Sequence, residues 1–188
     1  DDAGDVVIES ANEGVDTVLS FATQTLGANV ERLYLFGTAD INATGNGDNN
    51  GLLGNDGDNA LSGEGGNDLL FGGLGNDTMT GGAGNDSFFF HTALDGVNNV
   101  ETLIDFSHAD DTMRLDSAVF TGLSTGLLPS NAFLIGTAAG DADDRIIYDD
   151  TTGDLFFDAD GNGAGAQVQF ATLDDIPTDV AFNDFLVI

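Results

Sequence analysis

The residues of this sequence that could do chemistry are acids and amides, and they recur in strict phase. From Gly45 to Phe89 the chain reads GNGDNNGLL, GNDGDNALS, GEGGNDLLF, GGLGNDTMT, GGAGNDSFF, with no insertion between units. Each unit of nine opens on glycine, at 45, 54, 63, 72 and 81. The sixth position is Asn50, Asn59, Asp68, Asp77 and Asp86, and the eighth is Leu52, Leu61, Leu70, Met79 and Phe88. Six residues turn, helped by glycine's conformational freedom, and three extend, enough to place one side chain in a core. Two units make one turn of a flattened parallel β-helix. Strands stacked at about 4.8 Å then set the sixth residue of one unit beside that of the unit two further on, along the same edge. Carboxylates held so close repel one another unless a divalent cation lies between them. Oxygen donors, carbonyls freed by the turns, and no His or Cys within the units favour Ca²⁺ over a transition metal.

The units resemble the G-G-x-G-x-D-x-U-x nonapeptide of RTX proteins. That resemblance implies several calcium ions, each bound between two loops of the same edge. Glu64, Gly66 and Asp68 would face Gly81, Ala83 and Asp86; Asn55, Gly57 and Asn59 would face Gly72, Leu74 and Asp77; Asn46, Asp48 and Asn50 would face Gly63, Gly65 and Asp68. Asp95 stands in the sixth-position phase after Asp77, and with Glu101 it resembles the acidic pair that ends the roll in serralysin-type domains. Gly73, Gly75, Asp95 and Glu101 complete the expected ligand set. The first two units depart from the pattern, because Asn50 and Asn59 ligate without adding charge and make weaker sites.

Composition agrees with a cation partner. The 188 residues include 33 acids against three arginines and no lysine, a net charge of −30. Such a net charge argues against nucleic acid and anionic membranes as partners. No apolar run approaches the ~20 residues of a membrane span, so no membrane insertion is expected. Of the acids 28 are Asp, set among 27 Gly and 16 Asn, a composition that forms turns and little helix. Hydrophobic residues at 41 %, with 14 Phe, suffice for a core once the charge is neutralised. The absence of cysteine removes disulfides and thiol chemistry. The sequence starts without Met or a positively charged leader and reads as a piece of a longer protein.

The elements around the repeats must hold these turns in place. Residues 1–44 contain β-rich runs around Val15 to Phe21 and Val30 to Phe36, expected to cap the open end of the roll. Residues 45–89 form the roll itself. In 90–188, ETLIDF and ADDTMRLD resemble edge strands of serralysin-type domains, and Arg145 to Tyr148 with Leu155 to Phe157 read as a hairpin. The expected fold is all-β: a right-handed parallel β-roll, as the resemblance implies, between a β-capping segment and a C-terminal β-sandwich-like region. Asp158, Asp160, Asn162 and Gly163 match half of an EF-hand loop, but Gln169 stands where its Glu belongs, and a plain acidic turn fits better. Residues 184–188, Asp-Phe-Leu-Val-Ile, resemble the uncleaved export signal of type I secreted proteins.

Catalytic patterns are poor. Gly122-Leu-Ser-Thr-Gly126 matches G-x-S-x-G, yet His91 and His108 both precede Ser124, the reverse of the hydrolase order. The sequence therefore points to a non-enzymatic, extracellular calcium-binding module of a larger secreted bacterial protein, exported by a type I apparatus. The alternative is an accessory module that binds a substrate or surface, like the R-modules of mannuronan epimerases or an adhesin.

Overall fold

The computed structural model describes residues 7–11 and 14–188; residues 1–6, 12 and 13, part of the segment expected to cap the roll, lie outside the described residues. Seventeen strands, labelled in chain order, form two sheets, and no α-helix occurs among the described residues. The first sheet runs β1 (Thr17–Ser20), β3 (Arg32–Leu35), β5 (Gly51–Leu53), β7 (Leu69–Phe71), β9 (Ser87–Phe90), β11 (Thr112–Leu115), β17 (Phe185–Val187), β12 (Gly126–Leu127). The second runs β13 (Phe133–Ile135), β14 (Ile146–Asp149), β15 (Asp154–Phe157), β16 (Val168–Leu173), β10 (Glu101–Leu103), β8 (Thr78–Thr80), β6 (Ala60–Ser62), β4 (Ala43–Thr44), β2 (Gln24–Thr25).

Odd strands fall in one sheet and even strands in the other from β1 to β11, because each turn reverses the chain and the next strand lands on the opposite layer. Every pair in that stretch is parallel, and units two apart stack in register: Leu52 beside Leu70 beside Phe88, Leu61 beside Met79. The eighth-position side chains are the core, all at most 1 % exposed. Leu33, Leu103 and Met113, each 0 % exposed, continue the same rows beyond the repeats.

The two sheets run through both expected borders, at 44/45 and at 89/90. Residues 17–44 do not sit across the end of the roll: β1 to β4 are its first rungs, built without glycine units because a strand of alternating burial can pair with β5 and β6 unaided. The segments read as edge strands are interior. β10 lies between β8 and β16 and β11 between β9 and β17, because the chain returns some seventy residues later to pair with both. Residues 126–187 widen the same two layers, with β14, β15 and β16 antiparallel around the Thr151–Gly153 turn and over the next connection. No helix among the described residues is long and apolar enough to cross a membrane.

Candidate metal centre

The turns that precede β5, β7 and β9 stack along one edge of the roll, and those that precede β6 and β8 along the other. On each edge the sixth-position side chains form a ladder. The backbone N–H of Asn50 donates to Asp68 Oδ1 at 2.7 Å, and that of Asp68 to Asp86 Oδ1 at 2.8 Å. On the other edge Asn59 N–H donates to Asp77 Oδ1 at 2.8 Å, and Asp77 N–H to Glu101 Oε2 at 3.1 Å. One oxygen of each aspartate is thereby fixed. The other is stranded: Asp68, Asp77 and Asp86 are at most 1 % exposed, and Oδ2 of each is buried with no hydrogen-bond partner.

A buried carboxylate oxygen without a donor is costly, and the acid-base behaviour reflects it. Burial, opposed by the Asn50 N–H and reinforced by Asp86, pushes Asp68 up to about 7. Asp86 is raised for the same reason, with Asp105 adding to it. Asp77 and Glu101 are both raised, first by burial, and Glu101 the further because the Asp77 charge faces it. Burial thus disfavours the charged form of each of these groups, a cost that a bound cation would offset. The donor set fits Ca²⁺. Among the described residues no three acidic or histidine side chains converge into a ready-made cluster, so each site rests on one or two carboxylates and on turn carbonyls.

Those carbonyls are where the ladder needs them. The place a Cβ would take on Gly63 is held by Asp68 Oδ2 and the Gly81 carbonyl, so only glycine leaves the two oxygens side by side. The same crowding joins Asn59 Oδ1 with the Gly72 carbonyl at Gly54, and Asn50 Oδ1 with the Gly63 carbonyl at Gly45. The carbonyls of Asp48, Asn55, Gly57, Glu64 and Gly66 lie against Gly66, Gly73, Gly75, Gly82 and Gly84 of the next loop on their edge. Ala83 N–H donates to the Glu64 carbonyl at 3.1 Å, Leu74 N–H to Asn55 at 3.2 Å, and Gly65 N–H to Asn46 at 3.2 Å. All three pairs of facing loops are thus brought into contact.

Asn50 and Asn59 sit at the head of their ladders for a physical reason. The group before each is a carbonyl acceptor, so an amide fits where a second carboxylate would clash. Asn50 Nδ2 donates to Val30 O at 3.2 Å and Asn59 Nδ2 to Ile41 O at 2.6 Å. Their Oδ1 atoms accept from the N–H of Asn46 and Asn55, each at 2.7 Å, which leaves no stranded oxygen.

Asp95 does not join its ladder. It is exposed, and its carboxylate accepts from Val97 N–H at 2.8 Å and Asn98 N–H at 2.7 Å, bonds that hold it below the usual carboxylate range. The loop after β9 is longer than a repeat turn, so the rung partner of Asp77 comes 24 residues on, at Glu101, and counting by eighteen lands outside the roll. Asp111 was not among the expected ligands. It stands 25 residues after Asp86 and takes that residue's N–H on Oδ1 at 2.9 Å. The readable signal was the triplet acid-x-apolar, shared by Asp86-Ser-Phe, Glu101-Thr-Leu and Asp111-Thr-Met. The fifth positions form a second, purely structural ladder: Asn67 N–H donates to Asn49 Oδ1 at 2.7 Å, Asn85 N–H to Asn67 Oδ1 at 2.9 Å, and Asn76 N–H to Asp58 Oδ1 at 2.8 Å.

The remaining candidates lie elsewhere. Asp158 Oδ1 and Asp160 Oδ2 accept from their own turn, from Asp160 N–H and Gly165 N–H at 3.1 Å each. Ser124 is exposed in an irregular segment before β12, and the small cleft beside it is lined by Pro129, Asn131, Asp143 and Arg145 with no histidine.

Two outcomes are expected. Asp68 touches both neighbouring sites of its edge, so Asp68→Asn should lower Ca²⁺ affinity about tenfold at two of them, while Asn59→Ala changes calcium affinity less; isothermal titration giving the opposite order would refute the ranking. The second concerns pH. Carboxyls raised in the fold but ordinary in the unfolded chain make the native state the better proton binder from about pH 4 upward, so the metal-free fold loses stability as pH rises through about 7. In EGTA, β-content by circular dichroism should therefore grow on acidification from pH 8 to pH 5; a flat or opposite response would contradict it.

Comparison with known families agrees with this geometry. Residues 53–88 match the model of the RTX calcium-binding nonapeptide repeat, in four copies. No curated protein gives a significant match to the chain. With its stacked turns and sixth-position ladder, the segment matched at residues 53–88 carries RTX calcium-binding nonapeptide repeats, and these repeats bind Ca²⁺.

Proposed function

We propose that this chain is the calcium-dependent folding and export module of a larger secreted protein. The observation that carries the reading is the set of three buried aspartate oxygens, at Asp68, Asp77 and Asp86, that no group of the protein satisfies. At the low free Ca²⁺ of a cytoplasm, repulsion among acids and the entropy of glycine-rich turns favour an unfolded chain able to pass an exporter. Outside, at about 10⁻⁴ to 10⁻³ M, the affinity range of extracellular calcium modules, the ions bind only the roll and their binding energy becomes folding energy. Residues 184–188 serve as the type I export signal while the chain is unfolded; once folded, Phe185 and Val187 are buried in β17, at 0 % and 2 % exposure.

The repeats are a structural calcium site rather than a catalytic one, and the module acts by folding. Circular dichroism should show the β-rich spectrum in Ca²⁺ and its loss in EGTA at pH 7.5; equal spectra end the reading. Deleting 184–188 should stop secretion of a fused reporter while calcium-dependent folding survives, and normal secretion would remove the signal assignment.

One observation favours a second, compatible role as a surface-binding accessory module. The strands of the first sheet contain no acid, although the chain has 33. Across its outer face Leu19, Tyr34, Leu53, Phe71, Phe89, Arg114 and Leu186 stand in register. Phe71 stacks on Phe89 with centroids 3.9 Å apart, and the Arg114 guanidinium lies 5.3 Å over the Phe89 ring. Among the described residues neither Arg32 nor Arg114 pairs with a carboxylate, so an anionic ligand suits this face. Retardation in a gel containing polymannuronate, but not neutral dextran, should occur and be lost in the double variant Arg32→Ser, Arg114→Ser; no retardation would remove this role.

A further inference from the structure

The acidic ladder does not end with the repeats. Asp86 N–H donates to Asp111 Oδ1 at 2.9 Å, and Ser107 N–H donates to Asp111 Oδ2 at 2.9 Å. Asp111 is 8 % exposed and Asp86 1 % exposed. The stranded Oδ2 of Asp86 has a defined direction. Asp68 Oδ2, at the equivalent place against Gly63, meets the carbonyl of the loop that follows it on the edge. Asp86 Oδ2 lies against Gly81, and the N–H of Gly81 is held by Asp105 of the next loop, 104–111. Asp105 clamps that loop down by accepting from Gly81 N–H at 2.9 Å and Gly82 N–H at 2.8 Å.

We propose that a calcium ion binds between Asp86 and Asp111, outside the nonapeptides, and that this ion fastens the last strand, β17, to the roll. The proposal rests on the calcium-folding reading above. It adds a site on a non-repeat loop and gives that site a task.

The route from the ion to the strand is short. Asp111 leads directly into β11, whose Met113, Arg114 and Leu115 pair with Phe185, Leu186 and Val187 of β17. Ile188 N–H donates to Leu115 O and Ser117 N–H to Ile188 O, both at 2.9 Å. From the same loop His108 Nδ1 bonds Asp184 Oδ1 at 2.6 Å, and Asp184 is 1 % exposed. Without the ion, two facing carboxylates lift loop 104–111 from loop 81–86, and the pairing edge offered to β17 is lost with it. The segment proposed as the export signal is then free until this site fills.

The test uses the full chain in millimolar Ca²⁺, with ions counted by native mass spectrometry and amide protection read by hydrogen exchange. Asp111→Asn should bind one ion fewer, and the amides of residues 185–188 should exchange at least tenfold faster while those of residues 51–80 keep their protection. An unchanged ion count, or a lost ion with 185–188 still protected, overturns the inference. If Asp111→Asn does not fold, a calcium titration of the wild type decides: protection of 185–188 must arise with the last ion bound, and complete protection before that ion binds overturns the proposal. A wild type that binds no Ca²⁺ at all would instead sink the module reading.

Discussion

Everything in this molecule depends on carboxylate oxygens that are buried and left without a donor. Desolvating a charged oxygen costs several kcal/mol unless it is paired, and this chain lacks the means to pair it. It has no lysine, and Arg32 and Arg114 stand in the strands of the first sheet rather than in the turns that hold the ladder. Meanwhile a repeat rung contributes one fully buried side chain per strand, such as Leu70 or Met79, and nine glycine-rich residues must be ordered to place it. The core alone therefore offsets little of the entropy lost in the turns, and the balance passes to the edges, where the sign of the electrostatic contribution is set by whether a cation is present.

The ladder gives that electrostatics its geometry. Each aspartate spends Oδ1 on the backbone N–H of the preceding rung, which fixes the direction of Oδ2 without satisfying it. A hydrogen bond from neutral backbone orients the charge but leaves most of it uncompensated. The fifth-position ladder runs the other way, each side chain accepting from the rung that follows, so adjacent turns are tied by bonds of both directions. Asparagine serves at the fifth position, where only an acceptor is needed, and at the head of the sixth-position ladder, where the neighbour is a carbonyl. At the sixth position aspartate stands on the rungs whose second oxygen is left without a donor, Asp68, Asp77 and Asp86.

The two layers continue without a break from Thr17 to Val187, so the repeats and the region after them share sheets and core. Strands β16 and β17 close on β10 and β11, whose leading residues, Glu101 and Asp111, are themselves ladder members. The far part of the chain is thus built onto the last rungs of the carboxylate ladder. The outer faces of the layers differ: the repeat strands of the second sheet present Ala60, Ser62, Thr78 and Thr80, whereas those of the first present Leu53, Phe71 and Phe89. The roll therefore has one face of small and hydroxyl side chains and one of large apolar and aromatic ones.

From the sequence by itself came the period, the two-unit turn, the core position and the oxygen-rich edge, because a nine-residue repeat without insertions converts spacing directly into position. The same counting fails as soon as a turn lengthens. Asp95 is in phase but lies on a loop that leaves the roll, while Glu101 and Asp111, 24 and 25 residues from their partners, are on the ladder because strand pairing rather than spacing put them there. The first rungs carry no glycine signature, so only their registers with β5 and β6 reveal them as part of the roll. That β10 and β11 are interior was likewise settled by strands arriving some seventy residues later. A local pattern states which residues can face a core or an edge; which distant segment completes that core or edge is decided by pairing that only the assembled sheets specify.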